Sequence, residues 1–221
     1  MEEAEPLGTN LPRLDVYPIT DDRFGWMHVQ IAKAVINAGV EILQFREKKK
    51  GLRECITVAT ALRKLTRKKG VTFIVNDRVD LAQAVDADGV HLGQNDMPLH
   101  IARKILGEDK IIGISAETIE QAKKGAMKAD YLGVGPIFPT STKKGVGPAL
   151  GLDSLKKISE AVNIPVVGIG GITLNNVREV IENGAEGIAV ISAIAEKKNP
   201  YKVTVELLEK VRKAKRSRRR S

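Results

Sequence analysis

The stretch Ile42-Leu43-Gln44-Phe45-Arg46-Glu47-Lys48 sets Gln44, Arg46 and Lys48 at every second position of a short β-prone run. Successive side chains of a strand point to opposite faces, so these three share one face. An amide, a guanidinium and an ammonium together suit an anion held at the strand end, with Arg as a fork and Lys as a point charge. A solvated strand end is the plainer alternative, because Lys49 and Lys50 follow directly.

Behind this strand comes a segment of helical period, with Leu52, Cys55, Ile56, Ala59, Leu62 and Leu65 on one stripe and Gly70 to close it. The same strand-then-helix unit recurs eight times, with strands expected at 14–20, 42–47, 72–76, 89–93, 110–115, 131–137, 165–170 and 187–192. The fifth helix opens on Thr118 and Gln121, a capping-box spacing. The seventh opens after Thr173 and stops at Gly184. Eight βα units without a change of composition predict a single (βα)8 TIM barrel. An open doubly wound sheet would want a glycine fingerprint after its first strand, and the cluster Gly168-Ile-Gly170-Gly171 follows the seventh.

Composition narrows the class. The chain has 221 residues, 43% hydrophobic and 29% charged, ordinary values for a globular protein. No apolar run approaches the roughly 18 residues of a membrane span, and the acidic start Met-Glu-Glu-Ala-Glu-Pro does not read as a secretory signal. The lone Cys55 excludes an internal disulfide and suits a reducing cytoplasm, and its place on an apolar stripe favours packing over nucleophilic work. The net charge of +9 is concentrated in residues 210–221, which carry eight cations and no acid; the rest has 28 basic and 27 acidic residues. The sequence therefore divides into an extension at 1–13, a barrel at 14–209 and a basic, disordered tail at 210–221. An RNA or membrane arm is the sharper reading of that tail, but 4% aromatics leave few stacking platforms for bases. Neither a nucleic-acid nor a membrane partner is expected; a homo-oligomer is left open.

In such a barrel chemistry gathers at the C-terminal strand ends. Strand two ends in Gln44, Arg46 and Lys48, and strand three in Asn76 and Asp77. Strand four carries His91 and leads to Asp96, strand five ends at Ser115, and strand six runs into Thr140, Thr142 and Lys143. Strand seven ends in Gly170-Gly171 and strand eight in Ile191-Ser192. Asp77 and Asp96 are hard oxygen donors of the kind that hold Mg²⁺ beside a phosphate, although each could instead cap the helix that follows it. The glycines after strand seven and the amides of Ile191 and Ser192 suit a phosphate, or the glycines only permit close packing. The loop at 138–151 is long enough for a lid, on which Lys143 either closes over an anion or is solvated. His91, within its strand, is either packed or faces a substrate.

Taken together the residues resemble the thiamine phosphate synthase (thiamine-phosphate pyrophosphorylase) family. The matching segments are Gln44-Phe-Arg-Glu-Lys48, Val75-Asn-Asp-Arg78, Gly89-Val-His-Leu-Gly-Gln-Asn-Asp96, Gly113-Ile-Ser-Ala116, the run from Gly133 to Lys143, Val167-Gly-Ile-Gly-Gly171 and Ile191-Ser-Ala-Ile194. They keep the family's order over roughly residues 14 to 195. The resemblance implies a barrel transferase with two small-molecule substrates, 4-amino-2-methyl-5-hydroxymethylpyrimidine diphosphate and 4-methyl-5-(2-hydroxyethyl)thiazole phosphate. The products would be thiamine phosphate and pyrophosphate, and the cofactor Mg²⁺. It implies that Arg46, Lys48, Asn76 and Lys143 bind the diphosphate and that Asp77 and Asp96 hold the metal. Gln44, with His91, would meet the pyrimidine. Ser115 would lie near the leaving group, and Thr140, Thr142, Gly171, Ile191 and Ser192 would hold the thiazole phosphate.

The sequence departs from the family in the acidic extension and the Arg-rich end. A related thiazole tautomerase shares the barrel but generally lacks the diphosphate and metal set. A non-catalytic binder acting through the basic tail is a reading of another class. If the tail lies outside the barrel, deleting 210–221 leaves turnover intact.

Overall fold

The computed structural model describes residues 11–24, 27–142 and 147–219. Its eight strands are β1 (Val16–Thr20), β2 (Ile42–Phe45), β3 (Thr72–Asn76), β4 (Gly89–Leu92), β5 (Ile111–Ala116), β6 (Tyr131–Val134), β7 (Val166–Ile169) and β8 (Gly187–Val190). Each pairs in parallel with the next, and β8 returns to β1 through Val16–Ile188, Tyr17–Ala189 and Pro18–Val190, closing the barrel. Between them run α1 (His28–Ala38), α2 (Leu52–Lys69), α3 (Val79–Ala84), α4 (Leu99–Leu106), α5 (Ile119–Ala126), α6 (Gly151–Glu160) and α7 (Val177–Glu182). The chain ends in α8 (Ser192–Ala195) and α9 (Pro200–Arg218).

Strand alternation divides the core in two. Leu43, Phe45, Phe73, Val75, Val90 and Leu92 pack outward against the helices. Tyr17, Ile19, Ile42, Ile74, Ile111, Tyr131, Val167 and Ala189 form a separate plug inside the barrel. Burying each such large side chain stabilises the fold by about 1.5–3 kcal/mol.

Helix ends follow the local chemistry. Gly70 terminates α2 at φ 64, a left-handed conformation that glycine adopts without strain; its N–H donates to Arg67 O at 3.3 Å and that of Val71 to Thr66 O at 3.0 Å. Thr118 Oγ1 accepts from Gln121 N at 3.2 Å, while Gln121 Oε1 accepts from Glu117 N at 2.8 Å. The seventh helix starts later than expected: Asn176 Oδ1 accepts from Thr173 N at 2.8 Å and holds a turn there, so α7 begins at Val177. Several strands are shorter at the C-terminal end than expected; β2 stops at Phe45 and releases Arg46 to Lys48 into the following loop. No helix among the described residues is long and apolar enough to cross a membrane.

The basic end is where the structure departs most from the sequence reading. Residues 210–218 are not a disordered tail but the last turns of α9, in which Leu207, Leu208, Val211 and Ala214 are buried. Arg212 Nε and Lys215 Nζ bind the two oxygens of Asp15 at 3.0 and 2.7 Å. Lys215 also reaches Glu186 at 2.7 Å, and Arg218 meets Glu186 at 3.0 Å. Arg218 further donates to the carbonyls of Ile181 and Ala185, each at 2.9 Å. Burial pushes the Asp15 carboxyl up, but the two cations outweigh it and hold it below its ordinary value. Residues 1–10 of the expected extension, and Arg220 and Ser221, lie outside the described residues.

Deleting residues 210–221 strips Val211 and Ala214 from the core and leaves the buried Asp15 unpaired. The expected loss is at least about 3 kcal/mol, read as a lower urea midpoint. An unchanged midpoint would mean that the helix end contributes nothing to the barrel.

Candidate active site

A cavity of about 430 Å³ opens at the C-terminal ends of the strands. The inward parity of β2 carries Gln44 and, past the strand end, Arg46 and Lys48 to its wall; β3 delivers Asn76 and Asp77. His91, Asp96 and Ser115 follow from β4, its loop and β5. Thr140, Thr142, Gly171, Ile191 and Ser192 line the opposite side. Every candidate residue from the sequence therefore meets in one cavity except Lys143, which lies outside the described residues.

The mouth is held by paired charges. Arg46 Nη1 donates to Asp21 Oδ2 at 2.8 Å, and Arg23 grips both oxygens of the same carboxylate at 2.7 and 2.6 Å. Arg23 also donates to Thr142 O at 2.7 Å, tying the long loop after β6 to the loop after β1. Lys48 pairs with Asp77. Neither Asp77 nor Asp96 caps a helix: the residues at the starts of α3 and α4 are Arg78 and Pro98. Asp77 sits at φ 62, strained for a residue with a side chain, with its N–H bound to His91 O at 2.8 Å. Asp96 Oδ2 accepts from Gly93 N at 2.7 Å. Burial raises the pKa of Asp96, and its hydrogen bond to Asp77 and the Asp77 charge raise it further. Two crowded carboxylates at the cavity wall, with the single Lys48 ammonium between them and solvent, have the hard oxygen donors that a divalent cation takes.

Glu47 points the other way. Its side chain is 3% exposed and accepts from Lys49 N at 2.7 Å, Lys50 N at 3.3 Å, His28 Nε2 at 3.2 Å and Lys50 Nζ at 3.2 Å. Burial pushes its pKa up, but these donors outweigh it and bring it down to about 2. The carboxylate thus pins the loop that carries Arg46 and Lys48. Asp22, His28 and Glu47 lie close enough to share a metal, but Lys50 already bridges Asp22 and Glu47 and supplies the cation.

On the far side, Thr142 Oγ1 donates to Ser192 Oγ at 3.1 Å, and α8 begins at Ser192 with its first amides lacking intrahelical acceptors. Gly171, at φ 65, lies where a Cβ would come within 2.7 Å of Phe138 Cβ and Pro139 O. It therefore allows close packing and lines the cavity at once. Cys55 is buried on its stripe, as packing requires.

Sequence reasoning overlooked Asp21, Arg23, Glu47, Tyr17 and Tyr131. Asp21 directly follows β1 and would have been found had the strand-end rule been applied to the first strand. The tyrosines carry no such signal, since their rings are indistinguishable from core in the pattern.

A test of the Glu47 anchor follows from linkage. A carboxyl held at about 2 in the fold contributes stability that is full above its ordinary value of 4.5 and is lost as the pH falls through about 2. The stability gap between wild type and Glu47→Gln should narrow by about 2 kcal/mol from pH 6 to pH 3. Equal gaps in urea titrations at the two pH values would remove the anchor.

Residues 16–194 match the family profile described as thiamine monophosphate synthase. The thiamine-phosphate synthase of Archaeoglobus fulgidus is 50% identical over 202 residues, covering 91% of this chain and 95% of the relative. That of Moorella thermoacetica is 45% identical over 187 residues, covering 83% and 89%. The solved thiamine phosphate pyrophosphorylase of Pyrococcus furiosus superposes with a TM-score of 0.85 at 43% identity, covering 91% of this chain and 97% of that one. With its closed eight-stranded barrel, the chain belongs to the thiamine monophosphate synthase family, transferases of thiamine biosynthesis.

Proposed function

We propose that the chain joins 4-amino-2-methyl-5-hydroxymethylpyrimidine diphosphate to 4-methyl-5-(2-hydroxyethyl)thiazole phosphate, forming thiamine phosphate and pyrophosphate. The observation that carries this reading is the division of one cavity into two unlike ends. Arg46, Lys48, Asn76, Asp77 and Asp96 gather at one, and Gly171, Ile191, Ser192 and the Thr140–Thr142 loop at the other.

The reaction is a dissociative substitution. The bond between the pyrimidine methylene and the diphosphate oxygen breaks, and its electron pair leaves on the diphosphate. The thiazole nitrogen then gives its lone pair to the methylene carbon. No enzymic nucleophile is needed. Arg46, Lys48 and Asn76 would bind the departing diphosphate, whose developing charge such preorganised donors stabilise. Lys143, outside the described residues, would join them from the long loop. Asp77 and Asp96 would hold Mg²⁺, which when bound supplies positive charge to the phosphate oxygens. Gln44 and His91 would meet the pyrimidine, and Ser115 the leaving group. Thr140, Thr142, Gly171, Ile191 and Ser192 would fix the thiazole phosphate within attacking distance. The loop after β6, tied down through Arg23, would keep out water that would otherwise trap the cation.

The test is direct: the protein, both substrates and Mg²⁺ should yield thiamine phosphate and pyrophosphate, and EDTA should stop both. Asp77→Ala and Asp96→Ala are each expected to lower turnover about 100-fold at limiting Mg²⁺ while circular dichroism stays that of the wild type. Normal turnover in either variant removes that residue from the metal site. No product from folded wild type would redirect the reading to the thiazole tautomerase.

A further inference from the structure

Inside the barrel five polar side chains from five strands meet in a line. Gln44 Nε2 donates to Tyr17 Oη at 2.9 Å, and Tyr17 Oη and Tyr131 Oη share a hydrogen bond of 2.9 Å. Tyr131 Oη lies 3.0 Å from His91 Nδ1, and His91 Nε2 lies 3.0 Å from Ser115 Oγ. The sequence makes room for this line. A Cβ on Gly113 would fall 2.1 Å from Tyr131 Cζ, and one on Gly133 would fall 2.9 Å from His91 Cε1. All five border the cavity, with Gln44, Tyr17 and Tyr131 at its floor, 2%, 1% and 0% exposed.

We propose that this chain of hydrogen bonds fixes the polarity of both substrate-facing ends, so that Gln44 offers its carbonyl oxygen to the cavity and Ser115 offers its hydroxyl proton. The inference rests on the function proposed above and deepens it, naming Tyr17 and Tyr131 as positioning residues and adding to His91, whose ring would border the pyrimidine, a positioning part through its two nitrogens. Each phenol has one proton, and a neutral imidazole has one N–H. If the Gln44 amide donates to Tyr17, the Tyr17 proton goes to Tyr131 and that of Tyr131 goes to His91 Nδ1. The single imidazole proton is then on Nε2, pointing at Ser115 Oγ, and the Ser115 proton is left for the cavity. The opposite order, with every proton kept within the line, needs the Gln44 amide turned over; Ser115 could then only accept and Gln44 only donate. An ionised diphosphate has acceptors alone and selects the first polarity. At the other end that polarity leaves Gln44 Oε1 facing the pyrimidine, where a 4-amino group is the matching donor. Burial raises the pKa of both phenols, so they stay protonated and orient their neighbours without carrying charge. Discrimination by such buried partners is large because the wrong ligand leaves one of them unpaired.

The experiment uses the full-length protein with ¹⁵N-labelled histidine. Long-range ¹H–¹⁵N spectra should place the His91 proton on Nε2 in the wild type and give a mixed tautomer in Tyr131→Phe. In steady-state assays Tyr131→Phe should lower kcat about 10-fold and add nothing further to Ser115→Ala. Tyr17→Phe should instead raise KM for the pyrimidine diphosphate several-fold. A wild-type His91 proton on Nδ1, or a Tyr131→Phe loss that adds in full to Ser115→Ala, overturns the proposal. If Tyr131→Phe does not fold, the wild-type tautomer alone decides. The tautomer is read without turnover: Nε2–H in a protein that makes no thiamine phosphate supports the polarity and defeats only the function proposed above.

Discussion

Closing eight parallel strands on themselves allows only every second residue of each strand to look inward, and the two cores of this barrel follow that parity. On β2 the inward set is Ile42 and Gln44 and the outward set Leu43 and Phe45. The inward set is apolar low in the barrel and polar toward its mouth, so one alternation builds both the plug and the cavity wall. The interior is narrow, and two of its rings enter where a neighbouring strand gives up its side chain. Tyr131 fills the space left by Gly113, and His91 that left by Gly133.

The loops above the barrel are organised by carboxylates rather than by apolar contacts. Asp21 sits between two guanidiniums, one at the cavity and one reaching the loop after β6. Glu47 collects two amides, an imidazole and an ammonium on the far side of the same strand end. With these partners in place, Arg46 and Lys48 are held before any ligand arrives. Such preorganisation is what electrostatic catalysis demands, since a charged group that must reorient during the reaction wastes its advantage.

Much of this was legible in the residues. The two-residue period placed Gln44, Arg46 and Lys48 together, and the strand-end rule gathered Asn76, Asp77, Asp96 and Ser115. Helix punctuation at Gly70 and at Thr118 with Gln121 depends on contacts three or four residues long, which a sequence displays openly. What escaped depends on partners far apart in the chain. The end of α9 looked like solvated charge because its counter-ions, Asp15 and Glu186, belong to other strands' surroundings. Its apolar stripe of Leu207, Val211 and Ala214 is masked in the sequence by the eight cations around and after it. Tyr17 and Tyr131 scored as hydrophobic rings, and a hydroxyl that finds its partner 114 residues away leaves no trace in any local pattern.

The pairing of Asp15 with Arg212 and Lys215 spans 197 and 200 residues. Its contact order is nearly the greatest the barrel permits, and long-range closure of this kind is slow. As the chain leaves the ribosome, β1 emerges early and waits for the final helix before its buried carboxylate is neutralised. The sheet itself has two open edges, β1 and the newest strand, only until β8 pairs with β1. A helix end that reads as solvated charge is thus what neutralises the buried carboxylate beside the first strand, so that strand and that helix are stable only together.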